Sequence, residues 1–342
     1  MKTYNRFTFS NETTLLDVGA CDAYLAISAV KLGFVPYSIA IENNFEFAEM
    51  CDACVELTGM SERVAVVRQD VLDYEVMADA VLCMSVLQWV EDPLPILRKC
   101  MSLCGSTLVL ELWLDELPEG VGSHYHAHSR ETIFNELWAG GFCLVRELGK
   151  SGNGRDMIQA HRWLGDVKAE PHGVLDMDNP VGRISGCGVT WTAFDRSGNR
   201  KFLKLQTRNN DNVQAIYKVG HRSLVPTEFI KPSGIQDEHL FHLQDWRELG
   251  MWKPGKRNNQ QATEAVTWLH EQGFVHLDVA DYHLKRDGCI KLIDHGSLTK
   301  IGDPIGYWRV REWTDEGQNA YTPAVPEFDL IDLRRFTDAH CS

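Results

Sequence analysis

Asp17, Glu42 and Asp70 each stand at or just past the end of a short apolar run, in Leu15-Leu16-Asp17-Val18, Ser38-Ile39-Ala40-Ile41-Glu42 and Val66-Val67-Arg68-Gln69-Asp70. Three acidic side chains at successive strand ends suit a nucleoside. Glu42, 25 residues after Asp17, could accept both hydroxyls of a ribose, and Asp70 a hydrogen bond from an adenine amino group. Gly19, in the small-residue turn Gly19–Ala23, allows a positive φ and a close ligand. Each has a plainer role as well: Asp17 as a cap or turn residue, Asp70 as an exposed carboxylate. The triplet taken together points to nucleoside binding.

A second set lies downstream. Asp278, in His276-Leu277-Asp278, and Asp294, in Leu292-Ile293-Asp294, are sixteen residues apart. Such a pair can divide the work of phosphoryl transfer, one orienting a hydroxyl and the other holding a divalent cation. Upstream, Gly186 and Gly188 form a glycine turn fit to cover phosphates, and Lys204, flanked by leucines in Lys201-Phe202-Leu203-Lys204-Leu205, is a lysine to pair with them.

The loop Ser123-His124-Tyr125-His126-Ala127-His128-Ser129-Arg130 follows an apolar run. Its histidines and arginine could hold a phosphate or carboxylate, with His124 or His126 as a base; a solvated loop without a role is the equal alternative. No thiolate pair accompanies them, which disfavours zinc. Cys51-x-x-Cys54 falls on a helical pattern, and Cys100 and Cys104 lie one turn apart on another, so all four are expected as buried thiols.

The elements that must position these groups differ between the two halves. Thr14–Val18, Tyr37–Ile41, Val64–Arg68, Ala80–Met84 and Thr107–Leu112 are strand-like. Tyr24–Leu32, Phe45–Leu57 and Pro95–Ser102 have helical spacing. This alternation predicts parallel crossovers in an open α/β sheet, with ligands outside the carboxyl ends of the strands. From Gly165 to Pro180 the sequence is polar and without period, which places domains at 1–164 and 182–342 around a linker at 165–181. Beyond it come strand-like Gly182–Ser185, Thr190–Phe194, Phe202–Gln206, Thr227–Ile230 and Leu240–Leu243, a helix at Asn259–Gln272 and a hairpin through Lys291–Ile293.

The chain has 342 residues, 34 basic and 48 acidic, for a net charge of −14. That balance and the lack of a basic stripe disfavour nucleic acid. The uncharged run Ala80–Val90 falls short of a membrane span, and Met1–Glu12 lacks the apolar core of a secretory signal. Ten cysteines without a small-scaffold context suit a reducing compartment. A cytoplasmic location is expected, at the inner face of a membrane if at one.

From about Thr13 to His161 the chain resembles the class I S-adenosylmethionine-dependent methyltransferases. Gly19 matches the family's glycine-rich turn, with Cys21 and Ala23 at its other two glycine positions, replacements expected to forbid the more extreme glycine angles. Val81–Val90 followed by Asp92-Pro93, and Trp138-Ala139-Gly140-Gly141-Phe142, match later segments. The resemblance implies a Rossmann-like sheet with S-adenosylmethionine as cofactor. Asp17, Gly19 and Cys21 would lie near its methionine part, Glu42 at the ribose, Asp70 and Val71 at the adenine, and Ser85 at the rim where the methyl leaves.

The second half resembles protein-kinase-like phosphotransferases, with His276-Leu277-Asp278 and Asp294-His295-Gly296 at the places of the family's two aspartate motifs, and Pro326-Glu327 and Asp329-Leu330 near the segment that opens its large helix. This implies a small α+β domain using ATP and Mg2+, with Asp278 and Lys204 catalytic and Asp294 as metal ligand. His283 stands where the second ligand is normally asparagine, Trp191 where a third glycine is usual, and Glu228 is the nearest carboxylate for the lysine. Only 46 residues follow Gly296, little room for a helical lobe.

Together the halves resemble bifunctional enzymes that phosphorylate and then methylate the end of an O-antigen chain. That implies a glycan, phosphorylated sugar or small-molecule acceptor, with Arg130 and the loop histidines recognising the phosphate. The alternatives are a methyltransferase with an inactive kinase-like docking module, and a nucleotide-sensing scaffold without turnover. Homo-oligomeric or membrane-associated assembly is left open.

Overall fold

The computed structural model describes residues 12–171, 184–185, 188–207, 209–233, 235, 239–245, 256–277, 285–286, 289–290, 292, 297–305 and 322–341. The chain divides into two compact units, Met1–Gly182 and Arg183–Ser342.

The first unit is built on β1 (Thr14–Val18), α1 (Tyr24–Lys31), β2 (Tyr37–Glu42), α2 (Phe45–Leu57), β3 (Val64–Arg68), β4 (Ala78–Met84), α3 (Leu94–Leu103) and β5 (Cys104–Leu114). There follow β6 (Ala127–His128), α4 (Arg130–Ala139), β7 (Leu144–Lys150), β8 (Asp156–His161), β9 (Trp163–Leu164) and β10 (Val167–Ala169). The sheet order is β3-β2-β1-β4-β5-β8-β7, with β6 also on β5. Strands β1 to β5 pair in parallel, whereas β8 runs antiparallel to both β5 and β7. The fold is α/β with a mixed sheet. The strands are continuous apolar runs because both faces are covered. Helices α1 and α2 pack on one face through Ala26, Val30, Cys51 and Val55, and α3 and α4 on the other through Leu97, Met101, Ile133 and Leu137.

Starting at β1, the chain moves outward to β2 and β3, then returns to β4 on the other side. Strand order therefore reverses between β1 and β4, which opens a crevice at their carboxyl ends. The opposite end is closed by polar clamps. Asp79 Oδ2 accepts bonds from the Thr13 and Thr14 amides at 2.8 and 3.1 Å and from the Thr13 hydroxyl. The buried Arg162 guanidinium donates to the carbonyls of Cys104 (3.0 Å), Met101 (2.8 Å) and Gly140, and lies 4.3 Å from the Phe142 ring. It thereby ties the ends of α3 and α4 to the sheet.

Two expectations are revised here. The polar segment after Gly165 opens as structure, since β10 pairs with β9 and buries Val167 and Ala169. Cys104 is not on a helix: α3 stops at Leu103, and Cys104 is the buried first residue of β5.

The second unit contains β11 (Ile184–Ser185), β12 (Gly188–Asp195), β13 (Arg200–Gln206), α5 (Asn210–Val219), β14 (Thr227–Ile230), β15 (Leu240–Asp245) and α6 (Lys256–Glu271), and it ends in the helix Pro326–Cys341. Its antiparallel strands run β11-β12-β13-β15-β14. Among the described residues Trp191 is the largest fully buried side chain, so it serves the core where a glycine was expected. Helix α5 was not expected; Val213 and Ile216 bury against Leu224, Leu269, Phe274 and Leu298.

Candidate functional site

The crevice is lined from the turn after β1. Gly19 has φ +69, and a Cβ there would come 2.6 Å from Val86 Cγ2, so no larger residue fits. Its amide and that of Ala20 both donate to the Ile41 carbonyl, at 2.9 and 3.1 Å, which bends the chain tightly over β2. Cys21 and Ala23 also take left-handed angles, φ 55 and 56. Two small L-residues thus hold left-handed angles here, at a backbone cost that glycine would not carry.

Glu42 is buried at the end of β2 and holds this turn in place. Its Oε2 accepts from the Cys21 amide at 3.0 Å and its Oε1 from the Asn44 amide at 2.9 Å. Asp17 is 2 % exposed, and its Oδ2 accepts from the Ala26 amide in the first turn of α1 at 3.2 Å. Burial, reinforced by the negative charges of Asp22 and Glu42, outweighs that hydrogen bond and pushes the Asp17 carboxyl up to about 7. Asp70 follows β3 along the same edge, but it is exposed, and its Oδ1 caps the 3-10 turn Val71–Asp73 by accepting from Leu72 N at 2.9 Å. Val71 is buried beneath it. Gly19, Cys21 and Glu42 therefore meet at one turn, Asp17 lies buried against the start of α1 that follows it, and Asp70 and Val71 stand one strand farther out.

Beside the crevice, Ser85 has two partners that sequence reasoning missed, Glu111 and Arg155. Ser85, φ 62, follows β4 and donates its hydroxyl to Glu111 Oε2, while Arg155 donates to the Ser85 Oγ. Arg155 and Glu111 are 3.5 Å apart and both nearly buried. Met84 is registered against Glu111, and Leu82 against both Asp17 and Val109, so Asp17, Met84 and Glu111 point to one face of the sheet. The available signal was a lone glutamate in the apolar run Thr107–Leu112.

The histidine loop divides. His124 is exposed and stacks on Trp89, with ring centroids 5.5 Å apart, and its ring fills the space above Gly122. His126 is half-buried, and its amide donates to the Gln88 carbonyl at 2.9 Å. His128 is buried against the Leu87 carbonyl, and burial lowers its pKa. Arg130 does not stand free for a phosphate: Asp115 and Glu147 both pair with it, because its helix start faces the ends of β5 and β7. Cys51 is buried and donates its thiol to the Cys21 carbonyl at 3.1 Å; Cys54 is half-buried and Cys100 buried.

In the second unit, Lys204 is buried in the middle of β13, registered against Thr190 of β12 and His242 of β15. Gly188 opens β12, and a Cβ there would meet the Leu205 carbonyl at 2.1 Å. Glu228 is exposed on β14, with β15 between it and β13, which makes it a poor partner for Lys204. Gly186, Asp278, His283 and Asp294 lie outside the described residues. The segment leading to Asp278 is anchored. Fully buried Asp329 accepts from the His276 and Leu277 amides at 2.8 and 2.7 Å and is 2.9 Å from His270 Nε2. Among the described residues no group of three or more His, Cys, Asp or Glu is placed to hold a metal, and no helix is long and apolar enough to cross a membrane.

No family model matches the chain, and no curated protein matches it. Among solved structures, the chain is similar to magnesium protoporphyrin IX methyltransferase from Synechocystis PCC 6803 with bound SAH. The identity is 15% over 47% of this chain and 78% of that one, with TM-score 0.38. The N-terminal domain of EvdMO1 with SAH bound is 19% identical over 47% and 78%, TM-score 0.38. Mitomycin 7-O-methyltransferase MmcR is 20% identical over 47% and 52%, TM-score 0.40.

Proposed function

We propose that the unit Met1–Gly182 is a methyltransferase that binds S-adenosylmethionine at the carboxyl ends of β1, β2 and β4 and methylates an oxygen or nitrogen of a small-molecule acceptor. The observation that carries this is the grip of Glu42 on the left-handed turn Gly19–Ala23, with the buried Asp17 bonded to the start of α1 just beyond it, at the point where strand order reverses. The residues fit that cofactor. At Gly19 a side chain would strike Val86, which keeps the backbone of the turn bare, and a carboxyl as buried as Asp17 is matched by a cationic ligand. Glu42 would accept the ribose hydroxyls, and Asp70 and Val71 would bound the adenine. A bound sulfonium supplies an already activated methyl carbon. The chain's task is then to align the acceptor and exclude water. Isothermal titration with S-adenosylhomocysteine tests the reading: micromolar binding is expected, weakened at least tenfold by Glu42→Ala, and no binding to the unaltered protein would sink it.

A second reading concerns the unit Arg183–Ser342 and has one observation in its favour, the grip of Asp329 on the backbone just before Asp278. An aspartate that follows an anchored segment in sequence, together with a buried lysine on β13, suits phosphoryl transfer from ATP with Mg2+. Incubation with ATP, Mg2+ and sugar acceptors should yield phosphorylated product that Asp278→Asn abolishes. ATP binding without transfer would leave a docking or regulatory module.

A further inference from the structure

An aromatic cluster adjoins Ser85 and Glu111. The Tyr125 ring lies 4.5 Å from Trp89, 5.2 Å from Trp113 and 4.2 Å from His124. Trp113 in turn carries the Arg155 guanidinium 4.9 Å from its ring, so one face of the cluster already holds a cation. That charge is neutralised by Glu111. At the other end Trp89 is 55% exposed.

Two buried polar groups here lack hydrogen-bond partners: the Trp113 indole N–H, on a side chain 5% exposed, and both amide atoms of the fully buried Gln88. Unpaired buried donors and acceptors are costly, and the hydroxyl of a ligand could pair with the Trp113 N–H or the Gln88 amide, which a quaternary nitrogen could not. The surrounding charge is one-sided. Glu91 and Asp92 follow Trp89 in sequence, Glu116 and Glu119 follow Trp113, all four are exposed, and Arg130 is already paired with Asp115 and Glu147.

We propose that Trp89, Tyr125 and Trp113 form the acceptor subsite and that it takes a small organic cation: an amine that gives its proton to solvent before its nitrogen takes the methyl, or a quaternary ammonium whose hydroxyl oxygen takes it with loss of the hydroxyl proton. Aromatic faces attract cations through their quadrupoles, and an acidic rim raises the local cation concentration. A phosphorylated sugar would meet the opposite field. The subsite's role as acceptor site rests on the methyltransferase reading; its affinity for cations does not.

The test is titration of the full chain with choline, its uncharged isostere 3,3-dimethyl-1-butanol, and glucose 6-phosphate at low salt. Choline should bind at least about tenfold more tightly than the isostere, and Trp89→Ala and Tyr125→Ala should each weaken it by about tenfold. Equal binding of the isostere, preference for glucose 6-phosphate, or choline binding indifferent to both substitutions would overturn the proposal. S-adenosylhomocysteine is titrated into the same samples. Its loss with choline binding intact would remove the methyltransferase reading alone, and the reverse would remove only the cation subsite. Trp89 is exposed, so its alanine variant should fold; retained S-adenosylhomocysteine binding by that variant reports that it has.

Discussion

Glu42 Oε2 accepts the Cys21 amide at 3.0 Å, so the carboxylate that ends the second strand fixes the left-handed turn that follows the first. The side chain proposed to meet a ribose therefore also sets the backbone path beside it.

Asp17 makes stability depend on pH. Its carboxyl is raised from 3.8 to about 7, chiefly by burial, so between those values the folded state keeps a proton that the unfolded chain has released. Stability conferred below pH 4 is therefore lost as pH climbs through 7, by up to about 1.4 kcal/mol per pH unit. Urea midpoints of the ligand-free protein should fall between pH 5 and 7, and Asp17→Asn should flatten that slope. Binding of a cationic ligand should strengthen over the same interval.

Cys21 carries the cost of its φ of 55 without needing its side chain for the turn. Cys21→Gly should raise stability by about 0.5–1 kcal/mol and preserve S-adenosylhomocysteine affinity. Denaturant titration and calorimetry check both halves; a loss of affinity would assign the thiol a direct part in binding.

Arg162 satisfies three carbonyls from a buried position. Arg162→Ala should destabilise the first unit by about 3 kcal/mol, because those carbonyls lose their donors and a cavity opens beside Phe142. Hydrogen exchange should rise first at the ends of α3 and α4.

Asp329→Asn replaces an acceptor of three donors by a group with a single acceptor oxygen. The second unit should lose about 2–3 kcal/mol, read by its own melting transition, with S-adenosylhomocysteine binding by the first unit unchanged.

Strands β1 to β5 were legible because central parallel strands are unbroken apolar runs, and Gly19, Asp17 and Glu42 because their positions follow from those strand ends. Helix α5 was not, since Val213, Ile216 and Tyr217 stand alone among Asn210, Asp211, Asn212 and Gln214. The pairing of Glu111 with Arg155 could not be read from spacing: it joins residues 44 apart through antiparallel register. Arg130 illustrates a further limit. Its residue type suggests anion recognition, whereas its two carboxylate neighbours, one of them from β7, become visible only once the strands are assembled.

Because β8 runs against β5, its first residues come back to where β5 ends, and the hairpin Ser151–Arg155 delivers Arg155 beside Glu111. Under the proposed methyltransferase reading, the residues for the nucleoside and those for the acceptor lie on separate pieces of chain. A short graft at that hairpin would then retarget the choice of acceptor while leaving the donor site untouched, giving selection, natural or in the laboratory, a dial independent of the power supply.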